Sequence, residues 1–125
     1  MFHIYQKTLS KKVSFSGIGL HSGKNSTINI FPANEDEGIV FKRIDLNKNN
    51  VIKASYKNVS SARLCTTLQN SNGVKVSTVE HLLAALYITG IDNALIEIDN
   101  EEVPIMDGSS EDFIKILKKI NLVDQ

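Results

Sequence analysis

A helical period is clear at residues 78–89, where Val79, Leu82, Leu83 and Leu86 share one face and Gly90 follows at the position that ends helices. A second helix is expected after Asp107-Gly108-Ser109-Ser110. Ser109 or Ser110 can cap it, and Glu111 and Asp112 suit the positive end of its dipole. Its buried stripe would be Phe113, Ile114, Leu117 and Ile120, with Lys115, Lys118 and Lys119 complementing the far end. The other patterned segments read as strands. Two helices can cover only one face of a sheet. The pattern therefore predicts an α+β fold, a two-layer sandwich in which a mostly antiparallel sheet packs on two helices and keeps its other face half covered.

Residues 8–16 mix Leu, Val and Phe with Ser and Lys and predict a strand. It runs into Ser16-Gly17-Ile18-Gly19-Leu20-His21-Ser22-Gly23, where three glycines mark a bend. Residues 26–31 alternate, with Ile28 and Ile30 on one face. A polar turn at 32–38 leads to a third strand at 39–44, then a loop at 47–50 and a short irregular strand within 51–59. Strands at 64–68 and 74–77 flank Gln69-Asn70-Ser71-Asn72-Gly73, whose closing Asn-Gly is a hairpin signal. Residues 93–98 alternate as a strand, Asp99-Asn100-Glu101-Glu102 turns it, and 103–106 return.

Composition narrows the partners. The 125 residues, 42% hydrophobic and 22% charged, fit one globular domain over residues 1–125. Lys+Arg and Asp+Glu both number 14, and zero net charge argues against an electrostatic grip on bare nucleic acid or an anionic membrane. One cysteine excludes an internal disulfide framework. The longest apolar run, residues 82–88, is too short to span a bilayer, so no integral membrane protein is expected. Met1-Phe2-His3-Ile4-Tyr5-Gln6-Lys7 has no secretory apolar region, and the expected location is cytoplasmic.

Chemistry concentrates on the first helix. Steps of about 100° per residue put Val79, Leu82, Leu83 and Leu86 in one arc and His81 opposite, with Ala84 and Ala85 nearest to it and Glu80 on the flank. A solvated face would carry Lys, Glu or Gln there. Two alanines beside an acid and an imidazole leave room for a ligand, a metal or another domain. Two plainer readings stand beside this one. Ser77-Thr78-Val79-Glu80 fits a capping box, in which the acid bonds back to the Ser77 N–H, and His81 suits a solvated surface. The residue four after His81 is Ala85, so the helix offers one metal ligand at most.

Catalytic zinc takes three protein ligands and keeps one position for water. The candidates are His3, His21, Cys65, His81 and carboxylates. His21 sits in the glycine-rich bend, where backbone can approach a ligand closely, although Gly17, Gly19 and Gly23 also serve a turn alone. Cys65, placed inside the strand 64–68, reads as a small buried hydrophobe. Asp107-Gly108-Ser109 reads as a turn from strand into helix. No phosphate-binding glycine loop and no Gly-x-Ser-x-Gly elbow is present.

Five segments in order and spacing resemble one family. They are Ser16-Gly17-Ile18-Gly19-Leu20-His21-Ser22-Gly23, Leu64-Cys65-Thr66, Ser77-Thr78-Val79-Glu80-His81-Leu82, Gly90-Ile91-Asp92-Asn93 and Pro104-Ile105-Met106-Asp107-Gly108-Ser109. Together they resemble the N-terminal half of LpxC, the zinc-dependent UDP-3-O-acyl-N-acetylglucosamine deacetylases of lipid A biosynthesis in Gram-negative bacteria. The resemblance implies a two-layer sandwich (ribosomal protein S5 domain 2-like) that shares its active site with a second, similar domain. It implies that His81 is a zinc ligand and Glu80 the general base that deprotonates the attacking water. It implies a substrate-binding role for Leu20 and His21, on the acyl-chain side, and for Cys65, near the metal. The remaining zinc ligands would come from the second domain, which these 125 residues do not include. The chain alone is therefore expected to be inactive, and the exposed interdomain face could pair two copies as a homodimer. The alternative is a non-catalytic binding or interaction module that keeps the fold. A nucleic-acid role, also open to small sandwiches, is disfavoured by the zero net charge.

Overall fold

The computed structural model describes residues 5–125. Its elements in chain order are β1 (Lys7–Leu9), β2 (Val13–Ile18), β3 (Asn25–Pro32), β4 (Ile39–Arg43), β5 (Val51–Lys53), a 3-10 turn (Tyr56–Asn58), β6 (Val59–Ser61), β7 (Thr67–Gln69), β8 (Lys75–Ser77), α1 (Glu80–Thr89), β9 (Ala94–Ile98), α2 (Glu111–Leu117) and β10 (Leu122–Asp124). The main sheet has the order β2-β3-β9-β4-β5 and is antiparallel except where β4 runs parallel to β9. A small antiparallel sheet, β6-β7-β8, stands apart, and β1 pairs antiparallel with β10.

Alternation along the strands decides where the core lies. Val13, Ile30, Ile96, Phe41 and Ile52 stand in register as one row across all five strands of the main sheet, and all are buried. Phe15, Ile28 and Ile98 form a second buried row. Each such side chain removed from water contributes about 1.5–3 kcal/mol. The two helices cover this face. Leu82, Ala85 and Leu86 of α1 and Phe113 and Leu117 of α2 are buried, and Phe113 meets Phe15 edge-on at 4.8 Å between ring centroids. The result is the expected α+β two-layer arrangement.

Several boundaries differ from the sequence reading. The strand expected at 8–16 breaks at residues 10–12. Leu9 turns into the core and the Ser10 N–H bonds to the Asn121 carbonyl, so β1 leaves the main sheet for β10. Residues 103–106 do not return as a strand. They run beside β8 and β2 through the Val103 N–H to the Ser77 carbonyl and the Ile105 N–H to the Ile18 carbonyl, and Pro104 has no N–H with which to continue a ladder. Beyond α2, residues 122–124 form β10 against β1. The side-chain amide of buried Asn93 holds this end in place. Its Oδ1 accepts from the Gly38 N–H at 2.7 Å, and its Nδ2 donates to the Oε1 atoms of Gln6 and Gln125 at 2.8 Å each.

Candidate active site

α1 begins two residues later than its apolar period suggests. Thr78 is held at φ 60°, a left-handed conformation that a β-branched residue adopts at a cost of about 1–3 kcal/mol. Val79 follows as the cap, and Glu80 opens the helix. The strained turn is tied on two sides: the Thr78 N–H donates to the Thr66 carbonyl at 2.9 Å, and the Thr78 hydroxyl donates to Glu102 Oε2 at 2.5 Å. At the far end Gly90 closes the helix at φ 82°, as expected.

The capping box does not form. The Ser77 N–H, which it needs, is bonded to the Glu101 carbonyl at 2.8 Å. Glu80 is exposed, and among the described residues its carboxylate has no hydrogen-bond or ionic partner. His81 is half-buried and its imidazole is likewise unpartnered among the described residues. Its backbone is anchored, because Ser110 donates its hydroxyl to the His81 carbonyl at 2.8 Å rather than capping α2. The Glu111 N–H is met instead by the Ser109 hydroxyl at 3.2 Å.

The surroundings of the pair differ from the helical-wheel reading. Ala85 is fully buried against the core and does not stand on the outer face. The exposed stripe beside Glu80 is Ala84, Tyr87 and Ile88, one and two turns on, with Tyr87 75% and Ile88 51% exposed. Ala85 belongs to the same buried cluster as Leu82 and Leu86. An apolar stripe bordered by an acid and an imidazole that find no partner among the described residues is more than a solvated helix face needs.

The other candidates lie on loops. Cys65 sits before β7 rather than within a strand, is half-buried, and its Sγ lies 3.8 Å from Thr67 Oγ1. It lines an open groove of about 880 Å³ together with His21, Ser22, Leu64, Arg43 and Glu102. Arg43 stiffens the wall through paired bonds to Asp45, at 2.6 and 3.1 Å. The groove thus gathers His21 and Cys65, while Leu20, 59% exposed on the same loop as His21, does not line it and neither do Glu80 and His81. His3 lies outside the described residues.

One residue that joins these pieces was read as part of a polar turn. Glu102 is 3% exposed. Its carboxylate accepts from the His21 N–H at 3.0 and 3.1 Å, from the Ser22 N–H at 2.8 Å and from the Thr78 hydroxyl. Two successive backbone N–H groups aimed at one anion form a nest. Burial pushes the Glu102 carboxyl up, but the bonds from Thr78, Ser22 and His21 outweigh it and hold the group below the usual glutamate range. Gly19 packs directly on this carboxylate: a Cβ there would stand 2.3 Å from Oε1. Doubled acids after a strand look like a solvated turn. The only signal that could have singled out Glu102 is its place two residues before Pro104, where a turn acid is not needed for solubility.

Among the described residues no group of three or more His, Cys, Asp or Glu side chains converges as a metal site, and no helix is long and apolar enough to cross a membrane. The described residues therefore offer the half-buried imidazole of His81 as a single donor at the helix start, which fits one ligand of a metal site and not a complete set.

Fold and site together define an α+β sandwich domain that displays an adjacent carboxylate and imidazole beside an apolar stripe. The LpxC family model, UDP-3-O-acyl N-acetylglycosamine deacetylase, matches residues 6–125, and the chain belongs to that family. It is 54% identical over 111 residues to a UDP-3-O-acyl-N-acetylglucosamine deacetylase of Geotalea uraniireducens, a match covering 89% of this chain and 36% of the relative. Against proteins of the same name from Shewanella sp. strain ANA-3 and Shewanella baltica it is 45% identical over 122 residues, covering 98% of this chain and 40% of each relative. The chain thus spans well under half the length of these curated relatives.

Proposed function

We propose that this chain contributes Glu80 as general base and His81 as one metal ligand to a zinc-dependent UDP-3-O-acyl-N-acetylglucosamine deacetylase of lipid A biosynthesis, acting in the cytoplasm. The observation that carries the reading is the adjacent pair at the start of α1, both side chains unpartnered among the described residues, with the Ser77 N–H that a capping box would use taken by the Glu101 carbonyl. Family membership supports the choice of substrate.

Zinc, when bound, polarises the acetamide carbonyl and makes water more acidic. The remaining ligands belong to a second domain, which would also cover Ala84, Tyr87 and Ile88; in its absence a second copy could take that face. Water adds to the acetamide carbonyl, the C–N bond breaks as its nitrogen takes up the proton removed from the water, and acetate and the free amine of the glucosamine are released. Glu80 accepts the proton of the attacking water, a role suited to an exposed carboxylate with no competing donor among the described residues. The groove that holds His21 and Cys65 takes part of the acylated substrate, with Leu64 offering apolar surface inside it and Leu20, exposed on the same loop as His21, offering more outside it.

Zinc titration by calorimetry on the chain and on His81→Ala tests this, with deacetylation assayed on the same samples alone and with the remaining part of a relative supplied. The expected result is weak zinc binding and no turnover alone, and turnover on complementation that His81→Ala and Glu80→Gln both abolish. Turnover that survives both substitutions would overturn the assignment. Tight zinc binding by the chain alone, lost in His81→Ala, would overturn the incomplete-site reading.

A further inference from the structure

The buried Glu102 carboxylate is not needed to hold the sandwich together in any obvious way. It lies outside every helix and strand, its backbone forming one isolated bridge with Ser77. A buried anion is costly unless its hydrogen bonds compensate. Here three donors do so, and they come from two segments remote in sequence: the loop carrying His21 and the turn that delivers Glu80 and His81. A third segment joins through Thr78, whose N–H is bonded to the carbonyl of Thr66, next to Cys65. Every candidate site segment is therefore one or two hydrogen bonds from this carboxylate.

We propose that Glu102 is a positioning residue: by clamping the His21–Ser22 backbone and the Thr78 hydroxyl on one carboxylate, it sets the left-handed turn that aims Glu80 and His81 and ties the glycine-rich loop to that same turn. The proposal rests on the reading of Glu80 and His81 as the reacting pair. The clamp itself is testable without that reading. Without the Thr78 bond, a β-branched residue has little reason to stay at positive φ, and its release would rotate the first turn of α1. Gly19 belongs to the same device, since only a residue without Cβ lets the loop close onto the carboxylate.

The test is solution NMR on the 125-residue chain and on Glu102→Gln and Thr78→Val, with kcat and KM measured on the complemented enzyme. Glu102→Gln is expected to raise hydrogen exchange at the His21 and Ser22 amides at least tenfold. It is also expected to move Thr78 out of positive φ, read from its backbone coupling, and to shift the His81 ring signals. Thr78→Val keeps the loop bonds and cuts only the link to α1. It is expected to reproduce the changes at residue 78 and at His81 while the His21 and Ser22 amides stay protected, so the proposal remains testable even if Glu102→Gln does not fold. In the complemented enzyme both variants lower kcat at least tenfold with KM changed less than threefold. Unchanged coupling at residue 78 and unchanged His81 signals in Thr78→Val would overturn the proposal. Those signals moving as expected while the complemented wild type shows no turnover would instead overturn the catalytic reading and leave the clamp standing.

Discussion

Replacing Gly19 by alanine tests the seat of the buried carboxylate by sterics alone. The new Cβ would stand 2.3 Å from Glu102 Oε1 and 2.5 Å from Ser22 Oγ, closer than real contacts allow. Two ways of relief exist. The loop can back away, as in an overpacked core, at a cost of about 1–3 kcal/mol. Alternatively the carboxylate can yield, losing its bonds from the His21 and Ser22 N–H groups, each worth about 1.5–3 kcal/mol to a charged acceptor. Gly19 is not in the left-handed region, so alanine brings no backbone penalty and recovers about 0.4–1 kcal/mol from a stiffer unfolded chain. The cheaper relief wins, and the net loss is about 1–2 kcal/mol. For a chain of this size that lowers Tm by roughly 4–8 °C. Thermal unfolding followed by circular dichroism reads the shift, and amide spectra should move at His21 and Ser22. Gly23→Ala is the control: it has φ 67° and open space, so it carries about 1 kcal/mol of backbone cost and should leave the Glu102 nest intact. A Gly19→Ala variant as stable as the wild type, or more so, would refute the placement of the carboxylate.

Other substitutions should separate function from stability. Glu80→Gln and His81→Ala change side chains without partners among the described residues, so unfolding free energies from urea titration should stay within about 0.5 kcal/mol of wild type while the complemented activity falls about 100-fold or more. Asn93→Ala strips three hydrogen bonds from a buried site and should cost about 1–3 kcal/mol, with raised hydrogen exchange at Gly38 showing that the loss is local. Glu102 has a lower pKa folded than unfolded, so its contribution is complete above the ordinary glutamate range and fades as pH falls through the folded value. Urea midpoints should therefore drop on acidification below about pH 4.5 more steeply in wild type than in Glu102→Gln; equal slopes would contradict this.

The sequence by itself determined what depends on neighbours along the chain. Period-two alternation placed Ile28 and Ile30 in the core, the helical period placed Leu82, Leu86, Phe113 and Leu117 there, and Gly90 ended its helix as expected, because burial and local geometry both follow from spacing. The adjacent Glu80 and His81 were visible for the same reason. Tertiary structure decided everything that turned on a remote partner. Whether Glu80 caps its own helix depended on the Ser77 N–H, which Glu101 takes from another part of the chain. Ala85 was misplaced on the outer face because only tertiary packing shows how wide an arc of the helix is covered. The tail strand β10 formed because β1 was waiting for a partner more than a hundred residues away. Glu102 was read as a solvated turn residue because its four hydrogen bonds come from His21, Ser22 and Thr78, donors that only folding brings within reach of one carboxylate.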